Sequence, residues 1–156
     1  MTTTIPTYTL YGEKAALGWE NFFNVERLSV RSKALNWKVS PHVHDTLLQV
    51  LFIQQGSVDV LLNYTHFKAQ APCLVLVPAQ TVHCLEYTPD SDGLTVTASQ
   101  KPLESVLKLL APNVLKLMST PCILSLAQAP DDGRVVQDAF QAMLREWRTP
   151  SVTQMA

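Results

Sequence analysis

Between Leu47 and Ala98 the chain is cut into short apolar runs, and the cuts come too often for any long helix. Leu47–Ile53, Val58–Tyr64, Leu74–Val77, His83–Tyr87 and Leu94–Ala98 each have the length of a strand, with a short Phe67–Ala69 stretch among them. Gly56, Pro78 and the run Pro89-Asp90-Ser91-Asp92-Gly93 separate them, and Gly, Pro and Asp are the residues that tight turns select. Upstream, Leu35, Trp37 and Val39 alternate with Ala34, Asn36 and Lys38, which predicts a half-buried strand interrupted by Pro41. Many short strands at fairly even spacing predict a mainly β sandwich or barrel. Ten prolines against five glycines fit such a chain of short elements.

The pattern changes after Gln100. Pro102-Leu103-Glu104 opens a predicted helix with apolar Val106, Leu107 and Leu110 that stops near Pro112, and Asn113–Met118 reads as another helical turn or two. Asp131-Asp132-Gly133 precedes a clearer helix, whose Val136, Phe140, Met143, Leu144 and Trp147 recur at helical spacing. The division expected is an arm over residues 1–20, a β module over 21–100 and an all-helical segment over 101–150.

Hydrophobic residues make up 47% of the 156, enough to bury a core as one domain. Twelve Lys and Arg against thirteen Asp and Glu leave a net charge of −1, which argues against a basic nucleic-acid-binding surface on these residues. No apolar run approaches the roughly 18 residues of a membrane span. The Thr-rich start, Met1–Tyr11, lacks the pattern of a signal peptide, so the expectation is a cytoplasmic chain with no membrane partner. Cys73, Cys84 and Cys122 form no CxxC and read as small apolar residues rather than a disulfide framework.

His42 and His44 are two apart, so on a strand both imidazoles point to one side. Gln49 follows five residues later and Gly56 seven after that; Pro78 and His83 come further on. This order resembles the two-part cupin signature, in which HxH, an acid, a Gly, a Pro and a third His recur at these spacings. Here Gln49 stands for the acid and Gln80 for the usual Gly after the Pro. The resemblance implies a cupin-like (jelly-roll) barrel followed by C-terminal helices. It also implies a candidate site for a divalent metal, Zn or similar, on His42, His44, His83 and Gln49. A neutral Gln oxygen should hold that metal less tightly than a carboxylate. Three inward histidines are equally readable as hydrogen-bonding groups for an anionic ligand, or as satisfied structural residues.

The wording around the motif narrows the resemblance. Pro41-His42-Val43-His44-Asp45, Gln49–Gly56 and Cys73–Pro78 resemble the N-terminal sensing domain of AraC/XylS-family transcription regulators. Ile5-Pro6 to Gly12, Glu26–Arg31, Trp37 and Ala71-Pro72-Cys73 look like the PobR type, which controls 4-hydroxybenzoate catabolism. The resemblance implies an effector entering the barrel, an arm packed over it and a homodimer formed through the helices. DNA contact would belong to a C-terminal helix-turn-helix domain absent from these residues. No enzyme activity and no required cofactor go with that reading.

The expected effector is 4-hydroxybenzoate or a related aromatic acid, a flat ring needing apolar walls, a cation and a polar partner. If Arg31, Lys33, Leu35, Trp37 and Val39 share a strand face, Arg31 clamps the carboxylate and Trp37 stacks on the ring. The bland alternatives are a surface Arg31 and a core Trp37. His42, His44 and His83 take either polar end; Gln49, Leu51 and Ile53 share a face and line the cavity; Tyr8 and Tyr11 on the arm are lid candidates. Cys84 and Tyr64 are weaker picks. Other readings are a small metal-dependent cupin enzyme, dioxygenase- or isomerase-like, and a structural domain with a dead barrel. No second carboxylate lies beside the motif in sequence to serve as a base.

Overall fold

The computed structural model describes residues 4–8 and 23–148. In chain order they form β1 (Phe23–Arg27), α1 (Leu28–Ala34), β2 (Lys38–His42), β3 (Leu47–Gln55), β4 (Ser57–Leu62), β5 (Thr65–Gln70), β6 (Cys73–Val77), β7 (His83–Tyr87) and β8 (Asp92–Ser99). They continue with α2 (Gln100–Leu110), α3 (Pro112–Met118), β9 (Cys122–Ser125) and α4 (Pro130–Arg148). All strand pairs are antiparallel, in a five-stranded sheet β1-β8-β3-β6-β9 and a four-stranded sheet β2-β7-β4-β5. The mainly β, cupin-like fold read from the sequence is present.

Side-chain alternation explains the layers. On β3, Leu51 and Ile53 face a core shared with Val58, Val60 and Leu62 of β4 and Leu85 and Tyr87 of β7. Phe52 faces the other way and packs with Val25, Leu94 and Val96 against Phe140 and Leu144 of α4. The sheet is therefore buried on both faces, which is why its strands read as continuous apolar runs. On β4 the pattern alternates, with Asp59 exposed between buried Val58 and Val60. The outer face of the four-stranded sheet meets water there.

Helix α4 carries Asp131 and Asp132 in its first turn and Arg145 and Arg148 in its last, each charge complementing the helix dipole. Its predicted stripe is used within the chain. Phe140 sits 5.5 Å from Phe52 between ring centroids, and Trp147 meets Phe23 edge-on at 5.9 Å. At the turn after β3, Gly56 has φ +82°, and an added Cβ would lie 2.7 Å from the Ser91 Cα. Only glycine fits that close, left-handed turn.

Two expectations are corrected. Of the predicted strand, Arg31 and Lys33 lie instead on α1, whose buried Leu28 and Ser32 are spaced four apart on one helical face, and Val39 lies on β2, which continues through Pro41. A turn with left-handed Asn36 and Trp37 ends α1 before β2 begins. The C-terminal segment is not all-helical, because β9 returns to pair with β6 at the sheet edge. β1 pairs along β8 from Phe23↔Ala98 to Arg27↔Leu94.

Truncating Phe140 to Ala removes the central knob between α4 and the sheet. We expect a loss of about 3–5 kcal/mol in unfolding free energy, measured by urea titration. A loss below about 1 kcal/mol would show that α4 is not a structural layer of the fold.

Candidate functional site

β2 and β7 bring the first two histidines together, because His42 and His83 are paired residues across the sheet. Their ring centroids are 4.1 Å apart; His44 lies 4.9 Å from His42 and 5.4 Å from His83. One ligand atom from each ring falls within 4.8 Å of the others, and all three residues are buried.

The hydrogen bonds fix what these rings can offer. Nδ1 of His42 lies 2.8 Å from the Ser40 carbonyl, Nδ1 of His44 2.8 Å from the Tyr8 carbonyl, and Nδ1 of His83 2.8 Å from the Thr81 carbonyl. A carbonyl oxygen only accepts, so each Nδ1 carries the proton and donates it. Burial keeps the rings from taking a second proton. It holds His83 down at about 3 and His44 at about 4, from an ordinary 6.5, and lowers His42 as well; the neighbouring rings and Arg31 add to the effect. At neutral pH each Nε2 is therefore a lone-pair acceptor. It can take a hydroxyl proton or a metal ion, but it cannot donate to a carboxylate. The expectation that these histidines bind either polar end of the effector narrows accordingly. The Nε2 atoms of His44 and His83 are buried without a hydrogen-bond partner.

Two cavities meet at His42. The inner one, between the sheets, has a volume of about 30 Å³ and is lined by Glu26, Arg31, Gln49, Leu51 and Tyr87 among others. The outer one, about 460 Å³, is lined by Tyr8, Arg31, Ala34, Leu35, Lys38, Val39, Ser40 and His42. Arg31, Val39 and His42 border both. Arg31 is therefore no plain surface residue: it projects from α1 and pairs with Glu26 at 3.3 Å. Gln49 donates from Nε2 to the Thr97 Oγ1 at 3.3 Å.

Trp37, Ile53, His44 and His83 border neither cavity, so of the three histidines only His42 reaches them. Trp37 packs against the inter-sheet core, and Ile53 lies within that core among aliphatic side chains. Tyr64 is 92% exposed, and Cys84 sits on β7 between inward His83 and Leu85. Tyr8 is held beside the site by Tyr8 N–H to the Val43 carbonyl (2.8 Å) and Val43 N–H to the Pro6 carbonyl (3.0 Å), and its ring lies 5.2 Å from His42. Tyr11 lies outside the described residues. The sequence reading missed Glu26, the carboxylate at this site.

The family described as the AraC-like ligand binding domain matches residues 26–147. The chain belongs to that family. No match was found among curated protein sequences. Among solved structures, ToxT from Vibrio cholerae is similar over 76% of this chain and 47% of its own, with 9% identity and a TM-score of 0.50. The Schizosaccharomyces pombe Cnp3 cupin domain (14% identity, 46% of this chain, 53% of that one, TM-score 0.37) is also similar. So is KdgF from Halomonas sp. (22%, 40%, 58%, TM-score 0.38). The chain thus spans about half to three fifths of these three structures. These likenesses concern the fold. Membership of the AraC-like family identifies a ligand-binding domain of the regulator type. No helix among the described residues is long and apolar enough to cross a membrane.

The histidine pKa values set a pH window for stability. Their folded values lie below the ordinary 6.5, so the unfolded chain binds more protons as pH falls. Stability is full above about pH 6.5 and is lost on acidification toward pH 4, by of order 3 kcal/mol for His44 and for His83. Urea titrations between pH 7 and 4.5 should show the decline, and His83→Asn should flatten it. An unchanged slope in that variant would contradict a neutral, buried His83.

Proposed function

We propose that the chain is the effector-binding domain of a transcription regulator that senses 4-hydroxybenzoate or a close aromatic acid, and that it performs no catalysis. The observation that carries this reading is the polarity of the walls. Arg31 supplies a fixed cation, and His42, bordering the same two cavities, supplies a neutral acceptor. A ring with a carboxylate at one end and a hydroxyl at the other matches that pair. In this reading residues 1–20 are the arm, 21–100 the effector module and 101–150 the dimerisation segment of a homodimer. DNA contact falls to a helix-turn-helix part that these residues do not include. The stripe of α4 is consumed by its own sheet, so the dimer surface is better placed on α2 and α3. There Val106, Leu109, Leu110, Val114 and Leu117 are exposed.

Calorimetric titration with 4-hydroxybenzoate tests the reading. We expect binding, weakened about tenfold or more by Arg31→Ala or His42→Ala. No heat from any hydroxybenzoate removes the effector assignment.

The second reading, a metal-dependent cupin enzyme of dioxygenase or isomerase type, is favoured by the two partnerless Nε2 atoms. The donor set fits a Zn²⁺-like ion: three Nε2 atoms converge, and each Nδ1 is oriented by a backbone carbonyl, as in ligating histidines. Such an ion would polarise a substrate oxygen. Gln49 in the acid's position and Glu26 tied to Arg31 count against turnover. Near-stoichiometric metal in the purified protein, lost in His44→Ala, is the outcome this reading expects. Metal-free protein that binds hydroxybenzoate unaided would leave the sensor reading alone.

A further inference from the structure

We propose that Glu26 is an internal stand-in for the effector's carboxylate: it holds Arg31 in the ligand-free domain and yields it to an aromatic carboxylate seated in the outer cavity. The inference rests on the effector reading and names the residue pair that sets its selectivity.

Volume gives the first step. A cavity of about 30 Å³ matches the space of one water and cannot admit an aromatic ring. The outer cavity, at about 460 Å³, falls in the range of small-molecule sites. Its walls suit a flat ring: Ala34, Leu35 and Val39 are apolar, and the Tyr8 ring stands beside His42. The ring therefore belongs outside, and only a head group can reach inward.

Arg31 is the group placed to meet it. It borders both cavities, whereas Glu26 borders only the inner one. Lys38, the other cation of the outer wall, is paired with Glu86 at 3.0 Å on the exposed edge. The Arg31–Glu26 contact runs from Nη1 to Oε1 at 3.3 Å, longer than the roughly 2.7–2.9 Å of a tight charge-assisted bond. Both side chains keep some exposure, 26% and 15%, so neither is locked in a dry interior. A slack, partly hydrated ion pair can change partners. The incoming carboxylate replaces one anion by another at the same guanidinium, so the cation is never left alone. Glu26, whose side chain is 15% exposed, is left to water. A neutral amide gains little from the exchange, because it brings no charge to replace the one Arg31 gives up.

The test compares 4-hydroxybenzoate with 4-hydroxybenzamide by calorimetry on the whole chain and its Glu26→Gln, Glu26→Asp and Arg31→Gln variants. Removing the competing charge in Glu26→Gln should tighten 4-hydroxybenzoate binding about tenfold and leave 4-hydroxybenzamide unmoved. Arg31→Gln should weaken the acid about tenfold or more and spare the amide. Glu26→Asp, which keeps the charge but withdraws it by one methylene, should fall between wild type and Glu26→Gln, and it serves if the glutamine variant does not fold. If wild type binds the acid and the Glu26 variants bind it equally or more weakly, the exchange is wrong and the effector reading stands. If wild type binds neither compound, the effector reading fails and takes this inference with it.

Discussion

The five-stranded sheet is buried on both faces, and the remaining elements are arranged to keep it so. Every residue from Leu47 to Ile53 except Val50 is buried, whichever way it points. One face needs the four-stranded sheet and the other needs α4; removing either cover would expose a continuous apolar surface. The same demand explains Gly93 on β8, where an added Cβ would collide with the Phe52 carbonyl and lie 3.1 Å from the Ile53 Cα. It also explains why the apolar stripe of α4 is spent inside the chain. Gln49 and Thr97 are two of the buried polar residues on this sheet, and they bond to each other.

The site draws its character from backbone carbonyls more than from its charged residues. Ser40, Tyr8 and Thr81 each present an oxygen to an imidazole Nδ1, and that choice turns all three Nε2 atoms into acceptors. A cluster of protonated histidines would be an anion site; this cluster is the reverse. In the proposed reading the anion-binding role passes to Arg31 on α1, which borders both cavities together with His42.

The histidine constellation was legible because its members sit on strands, where spacing in sequence maps directly onto position across a sheet. His42 and His83 come out as register partners, and His44 follows two residues on. The strands from β3 to β8 were legible for the same reason. α1 was not: Leu35, Trp37 and Val39 alternate as a strand would, while the burial of Leu28 and Ser32 depends on packing that a window of sequence does not contain. β9 has four residues and owes its pairing to β6, some 45 positions earlier in the chain. Glu26 carries no local signal, since its neighbours at the site come from α1, β2, β3, β7 and β8. Ile53 shares the parity of Gln49 and Leu51, yet it lies further along β3, where aliphatic side chains from the opposite sheet fill the space. Gln80, where the cupin signature has glycine, takes a left-handed backbone, with φ 62° and its N–H donated to the His44 carbonyl at 2.7 Å.

That last bond and the arm converge on one short segment. Val43 exchanges hydrogen bonds with Pro6 and Tyr8, His44 donates to Tyr8, and the His44 carbonyl accepts from Gln80. The ring that points its Nε2 into the site is therefore oriented at its other nitrogen by the arm. If the arm departs, His44 loses the acceptor that fixes its tautomer, and the site loses part of its shape. Linkage of this kind is reciprocal: whatever engages His44 Nε2 in its present orientation also favours the docked Pro6 to Tyr8 segment, by the same free energy. Tyr8 itself lines the outer cavity, so no extended pathway through the core is needed to join that cavity to the segment before β1.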